Sequence, residues 1–246
     1  MSRFANKLAL VTGGGSGIGR AIAERLARDG AQVIVTDVTG QQDDVAAAIG
    51  NGAIGRHLDV SREEEVLALE AWIAAEFGGL DLLANNAGIA SGQHITHEVT
   101  MADFDRVMGV NVRGAFMVLQ AGLRLMLARG GGAIVNTASI GGFRASPNSI
   151  PYITSKGAVV MMTRTAALDY ATKNIRINAI GPGTTQTAIL DNASDALMRT
   201  LSERIPQERL GKASEMANVA CFLLDDAETS HVTGQVWVVD GGRSAG

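Results

Sequence analysis

The stretch Thr12-Gly13-Gly14-Gly15-Ser16-Gly17-Ile18-Gly19-Arg20 constrains this chain more tightly than any other. Before it, Lys7 to Thr12 is an apolar, β-branched run of the kind that forms a buried strand. After it, Ile22, Leu26 and Ala27 recur at the spacing of one helix face. Glycines let the backbone turn sharply and come close to a pyrophosphate, and a helix N-terminus offers free N–H groups and partial positive charge. A glycine-rich turn alone is common, but one set between a strand and a helix reads as a phosphate cradle. Gly13, Ser16, Gly17, Ile18 and Gly19 are the residues expected to form it.

The alternation continues down the chain. Strands are expected at Lys7 to Thr12, Gln32 to Asp37, Ile54 to Leu58, Leu80 to Asn85, Ala133 to Thr137, Arg176 to Ile180 and Val236 to Val239, with a helix possible in nearly every interval. Right-handed crossovers between such strands give a doubly wound α/β fold, a mainly parallel sheet of seven strands with helices on both faces. Of 246 residues, 46% are hydrophobic, which suffices for a full core, and no repeat or Pro/Ser-rich linker interrupts them. Residues 1–246 therefore read as a single dinucleotide-binding and catalytic domain. Gly181 to Lys212 is the largest irregular stretch; it follows a strand end, where open α/β sheets bind ligands, and its Thr, Gln and Asp content suits a mobile cover.

Charge and composition remove whole classes of function. A net charge of -4 argues against a nucleic-acid partner, and no apolar run approaches the roughly 20 residues needed to span a bilayer. The opening Met-Ser-Arg-Phe-Ala-Asn-Lys lacks a secretion signal's apolar core, so a cytoplasmic location is expected. The single cysteine, Cys221, cannot form an intrachain disulfide, and with four scattered histidines it makes a poor metal site. His94-Ile95-Thr96-His97 has a metal-like spacing but no matching cysteine or carboxylate cluster, and no metal is expected. The partner is then a small molecule. Asp37 ends the second strand 20 residues after Gly17, where a carboxylate can accept from an adenosine ribose and repel a 2′-phosphate. With no arginine or lysine directly after it, NAD(H) is the expected cofactor and NADP is disfavoured.

Tyr152 and Lys156 stand at i and i+4, on one face of a helix and within mutual reach. A phenol with a pKa of about 10 is a poor base at neutral pH, and a neighbouring ammonium is expected to lower that value. Pro151 is expected to help set the start of this helix.

Thr12-Gly13-x-x-x-Gly17-x-Gly19 resembles the glycine motif of the classical short-chain dehydrogenase/reductase family, which has a Rossmann-type fold. Asp59-Val60 resembles that family's adenine contact, and Asn85-Asn86-Ala87-Gly88 its N-N-A-G signature, so Asn86, Ala87 and Gly88 join the expected cofactor residues. Asn178 to Gly183 resembles the loop that meets the nicotinamide, which adds Pro182, Gly183, Thr185 and Thr187; Asp240-Gly241-Gly242 resembles the C-terminal signature. Ser139, thirteen residues before Tyr152, matches the family's spacing from catalytic serine to catalytic tyrosine. Asn111 matches its active-site asparagine. The resemblance runs the length of the chain.

It implies four catalytic residues. Ser139 hydrogen-bonds the carbonyl oxygen, Tyr152 gives or takes the proton, Lys156 binds the nicotinamide ribose while lowering the tyrosine pKa, and Asn111 holds a water in the proton relay. Gly141, Arg144 and Gly183, with Ser139 and Tyr152, are the candidate substrate contacts, Arg144 as the orienter of an anionic group. The expected reaction interconverts a secondary alcohol and a ketone. The loop Ile140 to Pro151 and the cover Thr184 to Lys212 lack a dominant charge, so a largely neutral substrate is expected. The alternatives are a 3-oxoacyl thioester reductase acting on an acyl carrier, against which Asp37 counts, and a non-catalytic NAD-sensing regulator. Val107 to Leu127 carries only Arg113 and Arg124 as charges; it reads as a subunit contact, and the resemblance implies a homotetramer built on it and the Tyr152 helix.

Overall fold

A computed structural model describes residues 2–186 and 195–245 of the chain. In chain order the main elements are β1 (Leu8–Thr12), α1 (Gly17–Arg28), β2 (Gln32–Asp37), α2 (Gln41–Ile49), β3 (Ile54–His57), α3 (Glu63–Phe77), β4 (Leu82–Asn85), α4 (Met101–Met108), α5 (Ala115–Arg129), β5 (Gly132–Thr137), α6 (Ile150–Tyr170), β6 (Ile175–Pro182), β7 (Thr185–Gln186), α7 (Asp195–Ser202), β8 (Gly211–Lys212), α8 (Ala213–Leu224), α9 (Asp226–Thr229) and β9 (Val236–Val239). Seven strands form one sheet in the order β3-β2-β1-β4-β5-β6-β9, and every neighbouring pair is parallel. The chain winds outward from β1 to β3 and then restarts at β4 on β1's other side. At that reversal two connections leave in opposite directions and open a crevice at the carboxyl ends of β1 and β4.

Helices on both faces explain why the strands read as unbroken apolar runs. On one face Ala9, Val11, Val33 and Val35 pack with Ile22 and Leu26 of α1 and Cys221 and Leu224 of α8. On the other, Leu8, Leu10 and Ile34 pack with Leu69 and Ile73 of α3 and Leu119 and Met126 of α5. Each valine, leucine, isoleucine or methionine among them contributes on the order of 2 kcal/mol by leaving water, so the crevice rests on a firm scaffold. Left-handed glycines, Gly78 after α3 and Gly130 after α5, end two of these helices and turn the chain back to the sheet. Among the described residues no helix is long and apolar enough to cross a membrane.

Three details differ from the sequence expectation. Val107 to Leu127 is not one helix: α4 stops at Met108, a π-helical turn spans Gly109–Gly114, and α5 begins at Ala115. The fourth strand starts at Leu82, and the Asp81 carboxylate before it accepts from the Leu8 N–H at 2.9 Å. Inside the expected cover, β7 and β8 pair as a two-residue parallel ladder, too short to carry a period in sequence. Thr187, an expected nicotinamide contact, lies outside the described residues.

Candidate active site

The glycine turn sits at the mouth of the crevice. Gly13 and Gly17 hold φ of 63° and 53°, the left-handed region that favours glycine. A Cβ on Gly19 would overlap the Gly13 carbonyl oxygen, so the turn folds flat onto α1. Ser16 precedes α1 without a side-chain cap bond, and the helix's first turn holds no acidic residue. Its N–H groups are therefore left for an anion. Thr12 Oγ1 accepts from the backbone N–H groups of Asn86 (3.0 Å) and Ala87 (3.1 Å), while Asn86 Nδ2 donates to the carbonyls of Thr12 (3.1 Å) and Gly13 (3.2 Å). These bonds staple the end of β4 to the turn.

Asp37 closes β2 beside this turn, 9% exposed. Its Oδ2 accepts from the Gly15 N–H at 3.0 Å, and its Oδ1 from the Thr39 N–H and hydroxyl at 3.0 and 2.8 Å. A carboxylate has about four lone-pair sites, so capacity for a ribose hydroxyl remains. Asp59 makes its bonds within its own turn, to the Ser61 N–H and hydroxyl, and Val60 is buried against Gly114. Left-handed glycines, free helix N–H groups and a strand-end carboxylate together fit a dinucleotide. Gly19→Ala is expected to weaken NADH binding at least about tenfold and to lower the melting temperature, because the added methyl collides with backbone rather than a movable side chain. Fluorescence titration and thermal melting check this.

Four residues from three parts of the chain meet on the catalytic side. Ser139 follows β5, 8% exposed, and its Oγ accepts from the Gly141 N–H at 3.0 Å, which leaves the hydroxyl proton free to donate. Tyr152 lies in the first turn of α6, where Pro151 stands, and Lys156 follows one turn later, 5% exposed. Lys156 Nζ donates to the Thr137 carbonyl at 2.8 Å and lies 5.7 Å from the Tyr152 ring centre. Asn111 sits in the π-helical turn; its Oδ1 accepts from the Ile89 N–H (2.8 Å), and its Nδ2 donates to the Ile89 carbonyl (2.9 Å) and Ser155 Oγ (3.0 Å). Ser155 Oγ in turn donates to the Tyr152 carbonyl at 2.7 Å. Asn111 thus ties the strand-end loop to α6. Gly88 leaves the gap beside them, for a Cβ there would lie 3.3 Å from Asn111 Oδ1 and 3.4 Å from Lys156 Nζ.

One expectation changes here. Burial pushes the Tyr152 phenol above its ordinary value, and only the hydrogen bond with Ser139 pulls it back. Burial also pushes Lys156 down, to about 8. The Lys156 ammonium is turned to the Thr137 carbonyl, and loss of water dominates both groups. Both Nδ2 hydrogens of Asn111 are spent on protein, on the Ile89 carbonyl and the Ser155 hydroxyl.

Ser139, Gly141, Tyr152 and Gly183 line a cleft of about 680 Å³ at the carboxyl edge of the sheet. Pro182 and Gly183 form part of its wall; the Gly183 N–H donates to the Val239 carbonyl at 3.0 Å, and Thr185 Oγ1 donates to the Gly183 carbonyl at 3.1 Å. Arg144 reaches the same cleft with Arg204 and Arg243, and among the described lining residues there is no carboxylate. The expectation of no dominant charge is thereby corrected. Arg243 stands just after Asp240-Gly241-Gly242, and only the folded tail brings it across; no local spacing points to it. The His94 backbone N–H donates to the Asn148 carbonyl at 3.0 Å.

A doubly wound sheet with a phosphate cradle at its reversal point and a serine-tyrosine-lysine set beside it defines a dinucleotide-binding oxidoreductase. The chain belongs to the classical short-chain dehydrogenase/reductase family. A family model described as enoyl-(acyl carrier protein) reductase matches residues 13–244. Levodione reductase of Leifsonia aquatica is 40% identical over 258 residues, covering 99% of this chain and 96% of that protein. Cis-4-hydroxycyclohexanecarboxylate dehydrogenase of Sinomonas cyclohexanicum is 41% identical over 245 residues, covering 98% of each. The crystal structure of a 3-ketoacyl-(acyl-carrier-protein) reductase from Brucella melitensis complexed with NADH superposes with a TM-score of 0.92 at 35% identity, covering 98% of this chain and 99% of that one.

Proposed function

We propose that this protein is an NAD(H)-dependent oxidoreductase that interconverts a secondary alcohol and a ketone, with Tyr152 as general acid and base. The observation that carries this reading is Tyr152 and Ser139 together on the wall of the cleft, with Lys156 buried one helical turn behind the tyrosine. Relatives named as a reductase and as the dehydrogenase of a ring hydroxyl support it.

The nicotinamide, when bound, supplies or accepts the hydride. Gly13, Ser16, Gly17, Ile18 and Gly19 would hold the pyrophosphate, Asp37 the adenosine ribose, Asp59 and Val60 the adenine, and Asn86, Ala87, Gly88, Pro182, Gly183, Thr185 and Thr187 the remaining length. In reduction, the substrate oxygen gains negative charge. Ser139 Oγ donates a hydrogen bond to that oxygen, and Tyr152 Oη delivers the proton; in oxidation, Tyr152 takes it back. A phenol held above its ordinary value is protonated at neutral pH and thus ready as the donor. Lys156 supplies positive charge beneath the tyrosine and a donor toward the nicotinamide ribose, and Asn111 positions α6 through Ser155. The test is nicotinamide absorbance with purified protein, NAD or NADP, and a panel of secondary alcohols and ketones. NADH binding without any turnover would favour the redox-sensing reading.

Asp37 supports NAD over NADP. Asp37→Ala is expected to raise the NADP-to-NAD ratio of kcat/KM at least about tenfold, since it removes the charge that repels a 2′-phosphate. The variant also melts lower, because the Gly15 N–H loses its acceptor. An unchanged ratio would move the ribose contact elsewhere.

A second reading, reduction of 3-oxoacyl thioesters, is favoured by the Brucella melitensis neighbour; the family model's description shares with it the acyl carrier, though it names an enoyl substrate. That neighbour is complexed with NADH, so a preference for NAD does not count against a carrier-bound substrate. A 3-oxoacyl thioester in the same panel separates the two. Phe116 and Leu127 on α5 and Met161 and Leu168 on α6 are exposed, Leu168 at 81%, and support a homotetramer built on these helices. The reading is completed by one catalytic domain acting in the cytoplasm.

A further inference from the structure

We infer that the cleft selects a substrate bearing an oxyanion, a carboxylate or a phosphate, held by Arg144, Arg204 and Arg243 while Ser139 and Tyr152 address the reacting oxygen. The inference rests on the alcohol–ketone reading and names the substrate class for that same site.

The three arginines come from three parts of the chain: the loop after β5, the segment after α7 and the tail after β9. Each lines the cleft that Ser139 and Tyr152 line. Among the described residues none of the three has a carboxylate partner, whereas twelve basic side chains elsewhere in the chain do. Two of them are positioned by hydrogen bonds to uncharged groups. Arg144 Nη1 donates to the Arg243 carbonyl at 2.7 Å, and Arg243 Nη1 donates to the Thr184 hydroxyl. Each such bond uses one of the five donors of a guanidinium and brings no neutralising charge of its own. Arg204 makes no hydrogen bond or ion pair with the described residues.

Like charges repel, so gathering three guanidiniums on one cleft of a chain with net charge -4 is unfavourable until an anion enters. Guanidinium forks match a carboxylate or phosphate with paired donors, which a neutral ketone cannot use. On the same lining, the Ser91 hydroxyl oxygen is buried without a hydrogen-bond partner among the described residues. A buried hydroxyl left unpaired costs stability, which a polar ligand group would recover.

The test compares 4-oxocyclohexanecarboxylate, its methyl ester and a 3-oxoacyl coenzyme A thioester as substrates with NADH. The keto acid is expected to exceed the ester in kcat/KM at least about tenfold, the usual worth of a charge-assisted hydrogen bond. In Arg204→Gln and in Arg144→Gln that ratio falls toward one. A preference confined to the thioester assigns the arginines to carrier phosphates instead of a carboxylate. Equal kcat/KM for acid and ester, with the thioester no better, overturns the inference and leaves the alcohol–ketone reading standing. Calorimetry on the NADH complex provides a readout without turnover: cyclohexanecarboxylate should bind at least about tenfold tighter than cyclohexanecarboxamide, and equal binding also overturns the inference.

Discussion

Tyr152→Phe is expected to bind NADH within a few-fold of the parent and to lose turnover by about 10³-fold, within the range that a positioned proton donor contributes. The substitution removes one oxygen and keeps the ring, which packs in the first turn of α6. Ser139, which lines the same cleft, keeps its own bond with the Gly141 N–H after the change. Little structural cost therefore accompanies the loss, and circular dichroism and melting should hardly move. Fluorescence titration of NADH and steady-state rates with an accepted alcohol check both halves. Full activity in this variant would sink the assignment of Tyr152.

Lys156→Met separates stability from function with a sign that pH reveals. The Lys156 ammonium is 5% exposed and titrates at about 8, against 10.5 for an unhindered lysine. Below pH 8 folded and unfolded chains both carry the proton, and the folded chain bears the full cost of burying it. Between pH 8 and 10.5 the folded chain has shed the proton while the unfolded chain keeps it, so the parent gains stability as pH rises. The gain amounts to about 3 kcal/mol, and methionine, which does not titrate, lacks it. Denaturant melts of both proteins at pH 7.5 and 10.5 should therefore diverge in the parent's favour, while the variant loses activity at least about 10²-fold. A parallel pH response would mean that Lys156 is hydrated in solution. A buried cation that costs folding energy is a mark of a functional group, since a structural residue at that place would be apolar.

Local pattern carried much of the fold. Strand, glycine turn and helix follow one another in the first thirty residues, and seven apolar runs at βαβ spacing imply a parallel sheet, because each signal is short-range and set by backbone sterics and burial. Asp37, Tyr152 and Lys156 were legible for the same reason: one ends a strand, and the other two share a helix face. The limits were also physical. The π-helical turn at Gly109–Gly114 was missed because its residues keep a helical apolar pattern while the hydrogen-bond ladder changes. β7 and β8 were missed because two residues hold no period.

What the sequence by itself determined is the class of fold and the list of groups able to do the chemistry, because periodicity, turn chemistry and residue type are properties of neighbours in the chain. What only the tertiary structure decided is the state in which those groups stand. It turned Lys156 toward the Thr137 carbonyl and raised the Tyr152 phenol where a nearby cation suggested lowering, since the water each loses depends on everything packed around it. It spent the Asn111 amide N–H groups on Ile89 and Ser155. It also gathered Arg144, Arg204 and Arg243, up to 99 positions apart, onto one cleft. Desolvation and long-range charge are fixed by distance in space, and distance along the chain does not encode them.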